Sequence, residues 1–234
     1  MRTFRNFVAV DWRAGKDKIY FFFKDTNTYS RFDIAQDKVD DGYPKPINEE
    51  TWGRFHPFGK VLRFGFATAG IDITTPLDFD SDTLWLFFYR DNVPTVCKYD
   101  QDDDRTESIT SVADSVWSPL LPYFDKIIAG TLNPTTLHPR RFNFLLEGGK
   151  LMILDLNRSK PASIQVLDRT LSGLAQYQHR IVTAVQNDRT LGDSHYYVFL
   201  THNQYMRYNL PTHSLLAGPM DITETNWPGL ELGY

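Results

Sequence analysis

Tyr29-Ser30-Arg31-Phe32-Asp33 is a short aromatic strand closed by a carboxylate, and three later stretches repeat its pattern. They are Val96-Cys97-Lys98-Tyr99-Asp100, Leu151-Met152-Ile153-Leu154-Asp155 and Tyr205-Met206-Arg207-Tyr208-Asn209. The closing Asp or Asn recurs at 33, 100, 155 and 209, a spacing of about 55 to 65 residues, and self-similarity at a fixed period is the mark of a repeat architecture. A second series runs in phase with the first: Trp52, Trp117, Leu171 and Trp227 follow the four strands in turn. Two phased series define four units, approximately 1–60, 61–122, 123–178 and 179–234, that fill one domain spanning 1–234.

The first unit spells out the local structure. Phe7-Val8-Ala9-Val10 is an opening strand, Gly15-Lys16-Asp17 a turn, Ile19 to Lys24 the next strand, Asp25-Thr26-Asn27 a second turn, and Tyr29 to Asp33 the third strand. Gly, Asn and Asp supply the backbone angles that tight hairpins need. Beyond them Gly42, Pro44 and Pro46 break the sheet, and Asn48 is placed to cap one or two helical turns leading into Trp52. Three strands, an extended outer segment and a short helix at the end of each unit are therefore expected.

Opening strands recur as Phe66-Ala67-Thr68-Ala69-Gly70, Ile127-Ile128-Ala129-Gly130 and Val182-Thr183-Ala184-Val185, which aligns Ala9, Ala69, Ala129 and Ala184 in one column. Alanine is depleted in strands, so four in register call for a cause. If the units are arranged radially, their first strands crowd around a narrow axis where only small side chains fit. Each unit alone is a small twisted sheet with two apolar faces, and stacking against neighbours takes both out of water. The chain end, Gly229 to Tyr234, would then lie beside its beginning and help to close the ring.

Composition agrees. Of 234 residues 41% are hydrophobic and 15% aromatic, with runs such as Tyr20-Phe21-Phe22-Phe23 and Leu86-Phe87-Phe88-Tyr89 that favour strands. An all-β fold follows. The net charge of −4, with both signs scattered, leaves no basic surface for nucleic acid or an anionic membrane. The one cysteine, Cys97, excludes an internal disulfide and reads as a buried structural thiol. Met1 to Phe7 contains no apolar run that would serve as a signal peptide, and no stretch approaches the roughly 20 apolar residues of a membrane span. The expectation is a soluble protein, cytoplasmic or released without a cleaved leader.

These residues resemble the hemopexin repeat family. The resemblance is strongest where Lys18-Ile19-Tyr20-Phe21-Phe22, Tyr29-Ser30-Arg31-Phe32-Asp33 and Val39-Asp40-Asp41-Gly42-Tyr43-Pro44-Lys45-Pro46-Ile47 follow one another, and fair in Tyr196-Tyr197-Val198-Phe199, Tyr205 to Asn209 and Trp227-Pro228-Gly229-Leu230. It most resembles the stand-alone type, the hemopexin-fold seed albumins of legumes and the bacterial photopexins. That resemblance implies a four-bladed β-propeller whose axial channel holds ions, calcium or sodium with chloride, through backbone groups of the opening strands. By carry-over one ring would be Val8, Thr68, Ile128 and Thr183, and a second Val10, Gly70, Gly130 and Val185. The family often places Asp or Asn in the first of these columns, and no unit does so here, which weakens the field available to a cation.

Other chemistry is sparse. Asp78-Phe79-Asp80-Ser81-Asp82 opens like a calcium loop, but Thr83 stands where the turn needs Gly and Tyr89 where a bidentate Glu belongs. Asp102-Asp103-Asp104 reads as a solvated loop tip. The six histidines, His56, His138, His179, His195, His202 and His213, show no zinc spacing, though the hemopexin resemblance invites haem ligation by one of them. Gly148-Gly149 is hairpin chemistry between two apolar strands rather than a phosphate loop. No nucleophile motif is present, and no enzyme activity is expected.

Two functions are therefore weighed. The first is a non-catalytic binding protein holding a small ligand (sugar, haem or polyamine) at the channel mouth or on inter-blade loops. The second is an interaction or defence module that docks a macromolecular partner. A homodimer is compatible with either.

Overall fold

Each of the four recurrent strands is the third strand of its own antiparallel sheet. The computed structural model describes residues 6–12, 18–69, 82–133, 137–156, 162–188 and 194–230. Sheet 1 contains β1 (Phe7–Trp12), β2 (Lys18–Phe23), β3 (Thr28–Asp33) and two short strands, β4 (Lys38–Val39) and β5 (Lys45–Pro46), that both pair with β3. Sheet 2 contains β6 (Leu62–Thr68), β7 (Thr83–Arg90), β8 (Val93–Asp100) and β9 (Arg105–Ser111). Sheet 3 contains β10 (Ile127–Leu132), β11 (Arg141–Leu146), β12 (Lys150–Asp155) and β13 (Ser163–Thr170). Sheet 4 contains β14 (Ile181–Asp188), β15 (Ser194–Leu200), β16 (Gln204–Asn209) and β17 (Ser214–Asp221). Among the described residues no helix is long and apolar enough to cross a membrane.

At three of the four positions the recurrent Asp or Asn is explained by the turn that follows it. Asp33 Oδ1 accepts the Ala35 and Gln36 amides at 2.9 Å each, Asp100 Oδ1 those of Asp102 and Asp103 at 3.0 and 3.1 Å, and Asn209 Oδ1 that of Thr212 at 3.0 Å. Each such turn ends in a left-handed residue, Asp37, Asp104 or His213. A short side-chain acceptor at the strand end thus folds the chain back into the fourth strand. The other hairpins also follow their residues. Asp91 and Asn92 both have positive φ in a two-residue turn, and Gly148 and Gly149 do so in the sheet 3 hairpin. The Asp102–Asp104 tip is solvent-exposed, as expected. The Gly15-Lys16-Asp17 turn and the Asp78–Ser81 segment lie outside the described residues, as does the chain end 231–234.

Apolar residues of neighbouring sheets merge into four clusters. One joins Val8, Tyr20 and Phe22 of sheet 1 to Leu84, Leu86 and Phe88 of sheet 2, and the next joins Phe66 and Phe87 of sheet 2 to Phe142 and Phe144 of sheet 3. A third joins Leu145 and Leu151 to Val198 and Met206, and the fourth joins Phe7 and Phe21 of sheet 1 to Val185 and Phe199 of sheet 4. The first strands pack in the same cyclic order, β1 on β6, β6 on β10, β10 on β14 and β14 on β1. Sheets stacked face to face around an axis lined by their first strands make the arrangement of a β-propeller. Trp52, Trp117, Leu171 and Trp227 are all buried, one in each cluster.

The small-residue column exists, but two of its four members differ from the expected ones. Ladder register aligns Ala9, Gly65, Gly130 and Ala184, which face Phe21, Leu86, Phe144 and Val198 on the second strands. The expected Ala69 lies beyond β6, and Ala129 sits one position early. A bulge near the start of β6, β10 and β14 inserts one residue and shifts every later side chain to the opposite face. The reason for small residues is visible at Gly65 and Gly130. A Cβ on Gly65 would come within 2.7 Å of Val10 Cγ1, and one on Gly130 within 2.5 Å of Phe66 Cδ1. The small residues of sheets 2 and 3 thus receive Val10 of sheet 1 and Phe66 of sheet 2.

The expectation of a short helix in every unit is also corrected. Among the described residues an α-turn occurs after sheet 1 only, at Glu49–Trp52, where Asn48 and Thr51 cap each other reciprocally at 3.0 Å. The rest of that connection, Gly53–Val61, and those at Ser118–Lys126 and Ala175–Arg180 are 3-10 turns, and sheet 4 is followed by turns. Pro57, Pro119 and Pro122 lack the amide that a continuing α-helix would use.

Two outcomes follow. Gly130→Ala is expected to lower stability by about 1–3 kcal/mol in urea unfolding, with Phe66→Leu in the same chain recovering part of the loss. Asp33 is the second test. Burial alone would raise its pKa, but the Lys18 ammonium at 2.5 Å and the Gln36 and Ala35 amides hold it down at about 2. A depressed carboxylate stabilises the fold fully above its unfolded value, near 4, and loses that contribution as pH falls toward 2. Asp33→Asn should therefore cost about 2 kcal/mol at neutral pH and progressively less below pH 4.

Candidate functional site

The axis was the expected site, and its residues are largely committed to packing. Val8 and Val10 are buried in the cluster between sheets 1 and 2, and Val185 in that between sheets 4 and 1. Thr68 Oγ1 accepts the Trp85 indole N–H at 3.0 Å and donates to the Thr83 carbonyl at 3.5 Å. Thr183 Oγ1 accepts the Ala9 amide at 3.2 Å. Ile128 is the half-buried bulge residue of β10, Gly130 lies under Phe66, and Gly70 is outside the described residues. Register brings Val8 level with Thr183, and Val10 level with Val185. Phe64 and Ala129 complete the first level, and Phe66 and Thr131 the second, rather than the residues expected from sheets 2 and 3.

Polar groups at the axis tie sheets together. Asp11 Oδ1 of sheet 1 accepts the Ala67 amide of sheet 2 at 2.9 Å, Thr183 links sheet 4 to sheet 1, and the Thr131 hydroxyl of sheet 3 donates to Gln186 Oε1 of sheet 4. Buried hydrogen bonds of this kind fix register between elements that share no ladder. Cys97 is fully buried, and burial pushes its thiol up to about 12, as a structural thiol requires. Among the described residues no group of three His, Cys, Asp or Glu side chains lies close enough together to hold a metal ion.

A groove lies on sheet 2 instead. It has a volume of about 210 Å³ and opens on the sheet 3 side, over Trp85 and Val96. Lys98, Ser108 and Thr110 form one wall and Asp114, Ser115 and Val116 the other. Lys98 Nζ pairs with Glu107 at 2.6 Å, and Asp114 accepts the Ser111 hydroxyl at 2.7 Å, so the lining carries both signs of charge. Burial of Val96 and Trp85 in the apolar cluster below gives the groove a rigid floor.

The outer strands differ in how their free edges are protected. Sheet 1 ends in β4 and β5, too short to template another strand. On β9 the Arg54 guanidinium covers the Thr106 and Glu107 carbonyls, at 3.3 and 2.9 Å. β17 is broken by register shifts and by Pro219. β13 pairs regularly with β12 from Ser163 to Leu167, and its opening residues Ser163-Ile164-Gln165-Val166 carry no charge. Unprotected strand edges are templates for pairing, and natural sheets blunt them with short strands, charges, proline or bulges. Among the described residues β13 has none of these over its first half. Val166 lies opposite Met152, and Ile164 opposite Leu154 of the sheet 2–sheet 3 cluster, so both face the side on which the groove opens. Val166 is 39% exposed.

Neither element was singled out in the sequence. The polar–apolar alternation of Ser163-Ile164-Gln165-Val166 is the signal that marks β13, whereas the groove is assembled from separate segments and has no local signature.

No protein-family model matches the chain, and no curated protein matches it. Solved structures that match include the β-propeller domain of Cps50 (Swd1) from Myceliophteria thermophila, at 13% identity and a TM-score of 0.32, with 93% of this chain and 56% of that one covered. The Dos1 propeller matches at 9% identity and a TM-score of 0.30, with 92% and 49% covered. The chain spans about half the length of these propellers.

Proposed function

We propose that this chain is a non-catalytic, hemopexin-like propeller of four blades that docks an extended segment of a protein partner on the edge of β13. The observation that carries the proposal is the unprotected β13 edge, whose Ile164 and Val166 face the same inter-sheet side as the charged groove. A segment added to a sheet edge gains main-chain hydrogen bonds, while its alternate side chains select for sequence. Here one set of side chains would lie toward Val166 and the groove, where Lys98 and Asp114 offer a cation and an anion. The repeated Asx turns and the tryptophan series support the hemopexin-like assignment. Calcium or sodium with chloride in the axis stays part of this proposal, supported by the resemblance alone.

A small ligand has less support, because the described axial side chains are packed into the inter-sheet clusters or cross-bonded. Peptides displayed from a random library and selected on the immobilised protein are expected to show alternating apolar residues, and Val166→Lys should abolish their capture. Equal capture by the Val166→Lys protein would overturn the β13 site. A selective, saturable thermal shift with haem, spermine or a sugar, without peptide enrichment, would overturn the docking function itself.

A further inference from the structure

Three of the four inter-sheet clusters contain the same aromatic pair. A second-strand ring meets the recurrent tryptophan edge-on: Tyr20 with Trp52 at 5.7 Å, Trp85 with Trp117 at 5.2 Å, and Tyr197 with Trp227 at 5.1 Å between centroids. Register gives the sheet 3 equivalents. Asn143 pairs with Thr131 as Tyr20 does with Val10, Trp85 with Phe66 and Tyr197 with Val185, and Leu171 holds the tryptophan position. At the interface of sheets 3 and 4 both rings are thus replaced by smaller side chains, one of them polar.

The replacement leaves a mark. A hollow of about 10 Å³ lies in this interface, lined by both Asn143 and Leu171 together with Thr131, Tyr196, Leu210 and His213. Asn143 is 5% exposed, and its Oδ1 has no donor among the described residues. An acceptor left unmatched in such a place is unfavourable, because it has given up its bonds to solvent. A hollow of this size admits one water, and a buried water needs two to four polar partners to be held. Thr131, Tyr196 and His213 also line the hollow.

We infer that this interface binds one ordered water molecule, which donates to Asn143 Oδ1 and stands in for the aromatic pair present at the other three. At the other three interfaces a tryptophan ring occupies the equivalent position. Asn143→Leu replaces the acceptor by an apolar group of similar length and removes the reason for the water.

Water–protein cross-relaxation in solution and a high-resolution crystal structure test the site together. The wild-type protein is expected to show one full-occupancy water within about 2.7–3.2 Å of Asn143 Oδ1, with a residence time long enough to give a cross-peak, and Asn143→Leu should lose both. A dry hollow in the wild-type protein, or an Asn143 amide turned onto a protein partner, would overturn the inference. Should Asn143→Leu fail to fold, the wild-type cross-peak and electron density decide alone.

Discussion

Tryptophan set edge-on against a second-strand ring is the contact on which the rest of the architecture depends. Each sheet presents two apolar faces, and neither can be left in water, so every sheet needs two neighbours. At Trp52, Trp117 and Trp227 the ring arrives from the connection that follows its sheet and closes the wedge that opens between diverging sheets. Close approach near the axis supplies the other half of the constraint. There Val10 fits over Gly65 and Phe66 over Gly130, contacts that a single added carbon would destroy. Large residues outside and small residues inside set the tapered spacing of stacked sheets.

Among the described residues the first strands are tied by packing and by inter-sheet hydrogen bonds, which make the axis stiff. The four edges are unequal because the four connections are unequal: a proline-broken segment after β3, an arginine from the first 3-10 turn over β9, and Pro219 within β17. The proposed docking edge lies where none of these devices falls.

Much of this was legible in the sequence because it depends on local chemistry. The strands closing at Asp33, Asp100, Asp155 and Asn209, the Asn48 cap and the Gly148-Gly149 hairpin each follow from a few adjacent residues, and the structure contains them all. What failed to show depends on register. The bulges opening β6, β10 and β14 leave no compositional trace, so the column was assigned to Ala69 and Ala129 when Gly65 and Gly130 fill it. The helices expected in every unit are 3-10 turns after sheets 2 and 3, with Pro119 and Pro122 removing amides in the first of these. The sheet 2 groove and the Asn143 hollow arise only when distant segments meet.

Cyclic order of the four sheets is the central claim, and its most exposed contact is the one joining the first sheet to the last. Phe7 of β1 and Phe199 of β15 meet edge-on at 5.6 Å between centroids. A double-mutant cycle with Phe7→Leu and Phe199→Leu, read by equilibrium unfolding, is predicted to give a coupling energy of about 0.5–1.5 kcal/mol. Additive losses, within about 0.3 kcal/mol, would mean that the two sheets do not touch and would contradict the account.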